Sequence, residues 1–181
     1  MALAVPGRRA RFRFLRGFSP CERKMAKPSR YPQLPRCFFA TSSTWERRRL
    51  FQSEPMAALF LRVLFHYRSE GKFLLHEFVL MPDHFHLLIT PNSKITLERA
   101  IQFVKGGYSF RVSKELGFKG EIWQRGFTDH LVRDVQDLEK HRSYIRNNPV
   151  VRGLASRAEE YPYCSAHPGF ELDLPPIGLR G

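Results

Sequence analysis

The chain has 181 residues, of which 43% are hydrophobic, so it can form one modest domain with a sizeable core. Its formal net charge of +13 favours a polyanionic partner, either nucleic acid or an anionic membrane surface. The sequence contains no run of 18 apolar residues, and its N-terminus lacks helical periodicity, so we expect no membrane attachment and favour nucleic acid.

The three cysteines, Cys21, Cys37 and Cys164, are odd in number and widely spaced. They form no CxxC pair, so the sequence indicates neither a zinc knuckle nor a disulfide framework. This cysteine usage fits a reducing, cytoplasmic setting. We interpret each cysteine as a small buried or surface thiol.

Residues 1–34 differ in composition from the rest of the chain. They contain many arginines and lysines against a single acid, Glu22, and prolines interrupt any regular element. This composition predicts a disordered basic arm, and the absence of a clean apolar segment argues against a secretory signal. An alternative is that translation starts at Met25, which would leave the first 24 residues outside the protein.

Regular elements are predicted from Pro35 onwards. A first strand begins at Cys37, and the Ser53-Glu54-Pro55 sequence predicts the start of a helix that ends at Gly71. Two apolar runs, 73–81 and 84–90, predict a hairpin of buried strands around the Pro82-Asp83 turn.

Three further elements complete the predicted domain. A second helix runs from Thr96 to about Leu116, a fourth strand covers 121–132, and a third helix covers 134–147 before Pro149 stops it. The order β-α-β-β-α-β-α indicates an α+β fold, a ferredoxin-like or RRM-like antiparallel sheet with helices on one face. We expect this domain over 35–167 and a C-terminal tail over 168–181.

The triplet His84-Phe85-His86 lies on the second strand of the hairpin. Side chains alternate along a strand, so the two imidazoles point to one face and Phe85 points to the other. Such a pair can be half of a metal site. It can also be two ordinary hydrogen-bonded histidines.

The third predicted helix carries residues that could complete a metal site. Tyr144 and Asn148 are four residues apart and therefore share one helix face. Two imidazoles and an amide oxygen can hold a divalent ion and leave positions open for phosphate oxygens. A phenol beside them could attack the phosphate and form a covalent phosphotyrosine.

Other assignments stay open from the residues alone. Tyr108, on the second helix, is a rival nucleophile. Four residues after it stands Val112, which cannot bind a metal, whereas Asn148 stands four residues after Tyr144. Asn147 could replace Asn148 as a ligand, although the i, i+4 register favours Asn148. We interpret Asp83 as turn chemistry only.

On these residues the chain resembles the HUH single-tyrosine transposases, and more closely the REP-associated tyrosine transposases of bacteria. The resemblance covers roughly residues 35–167 and rests on four stretches in the family's order: 79–88, 122–130, 144–154 and 161–165. Cys164-Ser165 departs from the more usual Ser-Ser pair, and related transposases often have glutamine in place of Asn148. The arginine-rich first 24 residues lie outside the family pattern.

The resemblance implies both a mechanism and a substrate. His84, His86 and Asn148 would bind Mg²⁺ or Mn²⁺, and Tyr144 would form a 5′-phosphotyrosine on single-stranded DNA and release a 3′-hydroxyl. Family members recognise hairpin DNA from repetitive extragenic palindromes (REP). Related transposases act as homodimers or monomers, and we expect a monomer here, with no small-molecule substrate.

The excess of basic residues predicts a surface that tracks phosphates. The residues expected to contact DNA, including one aromatic and one histidine, are Lys105, Arg111, Trp123, Arg125, His130, Arg133 and Arg146. Two other functions stay open: a domesticated descendant that only binds hairpin DNA or RNA, and an RRM-like RNA binder. The RNA binder would need paired aromatics where the central strand carries His84 and His86.

Overall fold

A computed structural model of the chain describes residues 35–180, so the predicted N-terminal arm lies outside the described residues. The elements are β1 (Phe38–Ser43), α1 (Glu54–Ser69), β2 (Phe73–Met81), β3 (His84–Pro91), α2 (Leu97–Leu116), β4 (Thr128–Leu131) and α3 (Val135–Val151). The four strands form one antiparallel sheet in the order β2-β3-β1-β4. The predicted α+β fold is confirmed.

The helix ends follow the predicted signals. Pro55 stands in the first turn of α1, where its missing N–H costs no helical hydrogen bond. The Thr96 side chain accepts a hydrogen bond from the Arg99 N–H at the start of α2. Gly117 ends α2 with a φ of 66°, a left-handed conformation that glycine adopts without steric cost.

The helices cover both faces of the sheet, and the prediction of one covered face is wrong. Residues of α1 and α2 form one core with Phe85 and its neighbours on the sheet, whereas Ile145 of α3 packs with Val79 and Leu88 on the other face. The reason lies in the sequence of the hairpin. Apolar residues on both faces of β2 and β3 leave two surfaces to be covered, and nearly all of both strands is buried.

The fourth strand is shorter than predicted, because β4 begins only at Thr128. Gly126 has a φ of 71°, which is incompatible with continuous extended backbone. Before it, the segment forms an isolated bridge between Thr44 and Trp123. The Gln124 N–H donates to the Ser43 carbonyl, and the Trp45 N–H donates to the Ile122 carbonyl. Residues 121–127 are therefore a loop held at this edge of the sheet.

Helix α3 does not stop before Pro149, as the sequence predicted, but continues through it to Val151. Proline in a helix removes the hydrogen bond to the carbonyl four residues earlier, here that of Ile145. The Cys164 thiol lies 3.9 Å from this carbonyl and is a weak substitute donor. Because the helix continues, Asn148 keeps its helical register with Tyr144.

Residues 168–180, the predicted C-terminal tail, pack against the domain. The Asp173 carboxylate accepts hydrogen bonds from the Arg68 guanidinium at 2.7 Å and from the Leu75 N–H at 2.8 Å. Phe170 stacks on Phe65. Within the described part of the chain, no helix has the length and apolar character needed to cross a membrane.

Candidate active site

The two histidines of the triplet lie side by side on the sheet face that α3 covers. Both are buried, with 5% of each residue exposed, and their ring centroids are 4.8 Å apart. The Nδ1 atom of His84 lies 2.6 Å from the Asp83 carboxylate, and that of His86 lies 2.6 Å from the Thr41 hydroxyl. Thr41 is the direct cross-strand partner of His86 in the β1–β3 register.

These contacts prepare both imidazoles for metal binding. If each Nδ1 carries its proton and donates it to Asp83 or Thr41, each Nε2 presents a lone pair. Burial lowers the pKa of His84, and burial together with the His84 charge lowers the pKa of His86 to about 3. A histidine must be neutral to bind a metal, and this environment keeps His86 neutral at physiological pH.

Two buried polar atoms at this site have no hydrogen-bond partner in the described part of the chain. They are the Nε2 atom of His86 and the Oδ1 atom of Asn148. Buried polar atoms are rarely left unpaired, because each costs about 1–3 kcal/mol. An imidazole nitrogen and an amide oxygen are both ligands for divalent cations, so a cation would satisfy both atoms.

The side chain of Tyr144 reaches both the histidines and the solvent. Its ring packs edge-on against His86, with centroids 5.1 Å apart, and against Phe39 at 5.9 Å. Half of the residue is exposed. Tyr108, in contrast, is fully buried in the core of the opposite face, where its hydroxyl donates to the Met56 carbonyl and burial raises its pKa.

Two arginines add positive charge beside the histidines. Arg47 lies 3.6 Å from the Asp83 carboxylate. After burial and the charge of His84, the positive charges of Arg47 and Arg152 also lower the pKa of His86. The site therefore combines neutral imidazoles, an exposed phenol and cationic groups at one end of the sheet.

Comparison with known proteins identifies the family to which this arrangement belongs. A family model described as "Transposase IS200 like" matches residues 40–148, more than half of the chain, and both Tyr144 and Asn148 lie within the match. The chain belongs to the IS200-like transposase family.

The similar proteins place this IS200-like transposase beside REP-associated members. A Haemophilus influenzae protein provisionally named a REP-associated tyrosine transposase is 32% identical over 112 residues, which are 56% of this chain and 64% of that protein. The chain thus spans less than two thirds of that relative's length. The Escherichia coli K12 REP-associated tyrosine transposase is 26% identical over 115 residues, which are 63% of this chain and 67% of the relative.

A solved structure has the same fold. A REP-associated tyrosine transposase bound to a REP hairpin superposes with a TM-score of 0.63 at 22% identity, over 79% of this chain and 84% of that one. The resemblance noted in the sequence is therefore confirmed at the level of family and fold.

Three of the residues expected to contact DNA lie on the sheet face that α1 and α2 cover, opposite to the histidines. Trp123 packs in the core of α1 and α2, and its indole N–H donates to the Lys105 carbonyl. The Lys105 amine itself donates to the carbonyls of Gln124 and Gly126. Arg111, on the same helix, lies 3.9 Å from Glu115. These contacts give Trp123 and Lys105 structural roles.

Arg146 is held by an ion pair. Its guanidinium donates to the fully buried Glu77 carboxylate at 2.7 Å, and Arg142 donates to the same carboxylate at 3.1 Å. Ser165 also donates to it. Arg146 therefore anchors α3 to β2.

The remaining three residues lie on or beside β4. Arg125 is exposed in the loop beside the Ser43 end of β1, and Arg133 is exposed between β4 and α3. His130 lies on β4, where it contacts Asp137. We retain Arg125 and Arg133 as exposed cations that could contact DNA.

The sequence interpretation missed two residues that orient the histidines. Asp83 was assigned only to the turn, although its position next to His84 was a signal for a hydrogen bond. Thr41 is 45 residues away from His86. The strand register that pairs them was not available from local patterns.

Proposed function

We propose that this chain is a metal-dependent transposase that cleaves and rejoins single-stranded or hairpin DNA through Tyr144. The observation that carries the proposal is the half-exposed Tyr144 ring packed 5.1 Å from His86, whose buried Nε2 has no partner within the described residues. A nucleophile that solvent can reach thus lies beside an unsatisfied metal ligand. Family membership supports the reaction class.

His84, His86 and Asn148 are the residues that would hold the cation, and either Mg²⁺ or Mn²⁺ is expected. The cation would supply positive charge to the oxygens of a scissile phosphate. Asp83 and Thr41 contact the Nδ1 atoms and so fix the orientations of the two imidazoles, which leaves both Nε2 atoms available to the cation. Low pKa values keep the imidazoles unprotonated and available.

In the proposed reaction, the Tyr144 oxygen attacks a DNA phosphorus atom and forms a P–O bond to the protein. The bond from phosphorus to the 3′ oxygen breaks, and the phenol proton is balanced by protonation of the released 3′-hydroxyl. The product is a 5′-phosphotyrosine, which a 3′-hydroxyl can attack in reverse to rejoin a strand. The positive charges of Arg47 and Arg152 would favour binding of the anionic phosphate.

The substrate class is proposed from charge and from the similar proteins. The excess of 13 positive charges favours a nucleic acid. Two relatives are named REP-associated transposases, and a protein of the same fold is bound to a REP hairpin. We therefore expect hairpin DNA with a single-stranded flank to bind near Arg125 and Arg133.

We also propose that the chain acts as a monomer. β2 is an edge strand of the sheet, and the segment near Cys164 covers its outer side. The Leu80 N–H donates to the Tyr163 carbonyl, and the Ser165 N–H donates to the Phe78 carbonyl. This cover closes the β2 edge to pairing with a second copy.

A cleavage assay with labelled hairpin DNA tests the proposal. We expect cleavage and a denaturation-resistant protein–DNA adduct with Mn²⁺, and neither product with a chelator. His84→Ala should abolish cleavage because it removes one metal ligand. Cleavage that persists in this variant would contradict the role of the histidines. Hairpin binding without cleavage by the wild-type chain would favour a non-catalytic, domesticated protein.

A further inference from the structure

A second cluster of potential metal ligands lies beside the candidate active site. His130 of β4 has its Nε2 atom 2.7 Å from one oxygen of the Asp137 carboxylate, and His141 has its Nε2 atom 3.3 Å from the other oxygen. The ligand atoms of all three residues lie within 4.8 Å of one another. The proposed reaction uses none of the three.

The cluster is distinct from the His84–His86 site. It is built from β4 and the first two turns of α3. The Phe39 ring stacks on His141 at a centroid distance of 4.4 Å and on His86 at 5.3 Å, so it contacts both groups. His130 and His141 also pack together, with their rings 4.9 Å apart.

We propose that His130, Asp137 and His141 form a site for a divalent transition-metal cation of the Zn²⁺ type. Two imidazole nitrogens and one carboxylate oxygen are a donor set that suits such ions. Nitrogen and oxygen ligands about 2.0–2.1 Å from a tetrahedral ion lie roughly 3.3 Å apart, and the ligand atoms of these three residues already lie within 4.8 Å of one another. The two imidazoles contact different oxygens of the Asp137 carboxylate, so small side-chain movements are needed to bring both around one ion, and the 42% exposed side chain of His130 leaves room for them.

The surroundings of the cluster also suit a cation. A cavity of about 290 Å³ adjoins the three residues and leaves room for a water or phosphate oxygen as a further ligand. Asp129 lines the cavity, and the Asp134 side chain lies beside Asp137, so carboxylates concentrate here in an otherwise basic chain. Lys140 opposes them, but its side chain is exposed.

Metal binding at this cluster would fix the helix that carries Tyr144. The site joins β4 to α3, and His141 lies three residues before Tyr144 on the same helix. Binding needs the ring protons of His130 and His141 on Nδ1, so that both Nε2 lone pairs are free, and it involves no change of oxidation state. The bound cation would replace the present hydrogen bonds to Asp137.

Titration of the chelator-treated, full-length protein with Co²⁺ tests the proposal. Co²⁺ in a tetrahedral site has a visible absorption band, and we expect such a band from the wild-type chain. His130→Ala and His141→Ala should each remove the band and weaken binding at this site by at least about tenfold. His66→Ala, which changes an exposed histidine of α1, is the matched control and should leave the band unchanged.

The double variant His84→Ala/His86→Ala separates this cluster from the active-site histidines. We expect it to bind one Co²⁺ per chain with the same band. The proposal is overturned if His130→Ala and His141→Ala bind Co²⁺ as the wild-type chain does. It is equally overturned if all the tetrahedral absorption depends on His84 and His86.

Discussion

The protonation of two ring nitrogens decides whether the candidate site can bind a metal. Asp83 and Thr41 contact the Nδ1 atoms of His84 and His86, and both distances are 2.6 Å. An acceptor at Nδ1 keeps the proton there and leaves Nε2 free. A carboxylate orients an imidazole more strongly than a hydroxyl does, because the carboxylate is charged and can only accept a hydrogen bond, whereas a hydroxyl is neutral and can also donate one.

Asp83→Asn should therefore weaken metal binding while the fold is preserved. Asparagine keeps the size of the side chain but removes its charge, and its amide can present a donor to Nδ1 and favour the wrong tautomer. We expect the affinity for Mn²⁺ to fall about 10- to 100-fold, measured by calorimetry. An unchanged affinity would show that Asp83 serves only the turn.

At the residue scale, the sequence predicted the pairs but not the residues that orient them. His84 with His86 and Tyr144 with Asn148 follow from the strand and helix periods, which are local rules. Asp83 fits turn chemistry equally well, so its sequence position does not reveal the second role. Thr41 becomes visible only when β1 and β3 are in register.

One buried carboxylate fixes the position of α3. Glu77 of β2 is fully buried and accepts hydrogen bonds from Arg142 and Arg146, which lie on either side of Tyr144 in the sequence. A buried charge is stable only when it is paired. The ion pairs therefore set where α3 lies on the sheet and, with it, where Tyr144 meets His86.

Replacing Glu77 with glutamine should destabilise the fold. The change leaves two arginines without their charged partner, but both are partly exposed, so we expect a loss of about 2 kcal/mol in the free energy of unfolding. Urea denaturation measures it. Glu139→Gln is the matched control, because this exposed residue also pairs with Arg142 and should cost less than about 0.5 kcal/mol.

At the scale of elements, the sequence predicted the apolar strands and capped helices well. β2, β3, α1 and α2 end where their hydrophobic patterns and caps indicate. The stretch 121–132 resembles a strand in composition, but Gly126 and the packing of Trp123 keep most of it in a loop. Pro149 is a valid local signal for a helix end, yet tertiary packing of α3 overrides it.

For the whole molecule, acid should reduce stability through buried neutral histidines. Burial lowers the pKa of His76, His84 and His86 in the folded state below the ordinary value of 6.5. As the pH falls, these histidines bind protons in the unfolded chain at a higher pH than in the folded chain. Their contribution to the free energy of unfolding is therefore complete above pH 6.5 and declines as the pH falls toward the folded pKa values. For His86 that decline continues to about pH 3.

Denaturation of the metal-free protein at pH 7.5 and pH 5 checks this expectation. Between pH 6.5 and pH 5, His86 alone should lower the free energy of unfolding by about 2 kcal/mol, since each pH unit between its unfolded and folded pKa values contributes roughly 1.4 kcal/mol. A His86→Gln variant should show a smaller difference between the two pH values. Equal stability of the wild-type chain at both pH values would contradict the buried, neutral state.

The net charge and the site together determine the proposed activity of the whole chain. Charge is visible in the sequence and predicts the class of partner. The route of the DNA is less predictable from sequence, because Lys105, Trp123 and Arg146 make contacts within the protein that composition does not reveal. What the fold adds is the placement of α3 on the histidine face.

The most direct test compares two tyrosine variants in one adduct assay. Tyr144→Phe should abolish the denaturation-resistant adduct with hairpin DNA while it leaves binding of the same DNA nearly unchanged, because only the nucleophilic oxygen is lost. Tyr108→Phe, which removes a buried hydroxyl, should still form the adduct. An adduct that persists in Tyr144→Phe and disappears in Tyr108→Phe would contradict the account.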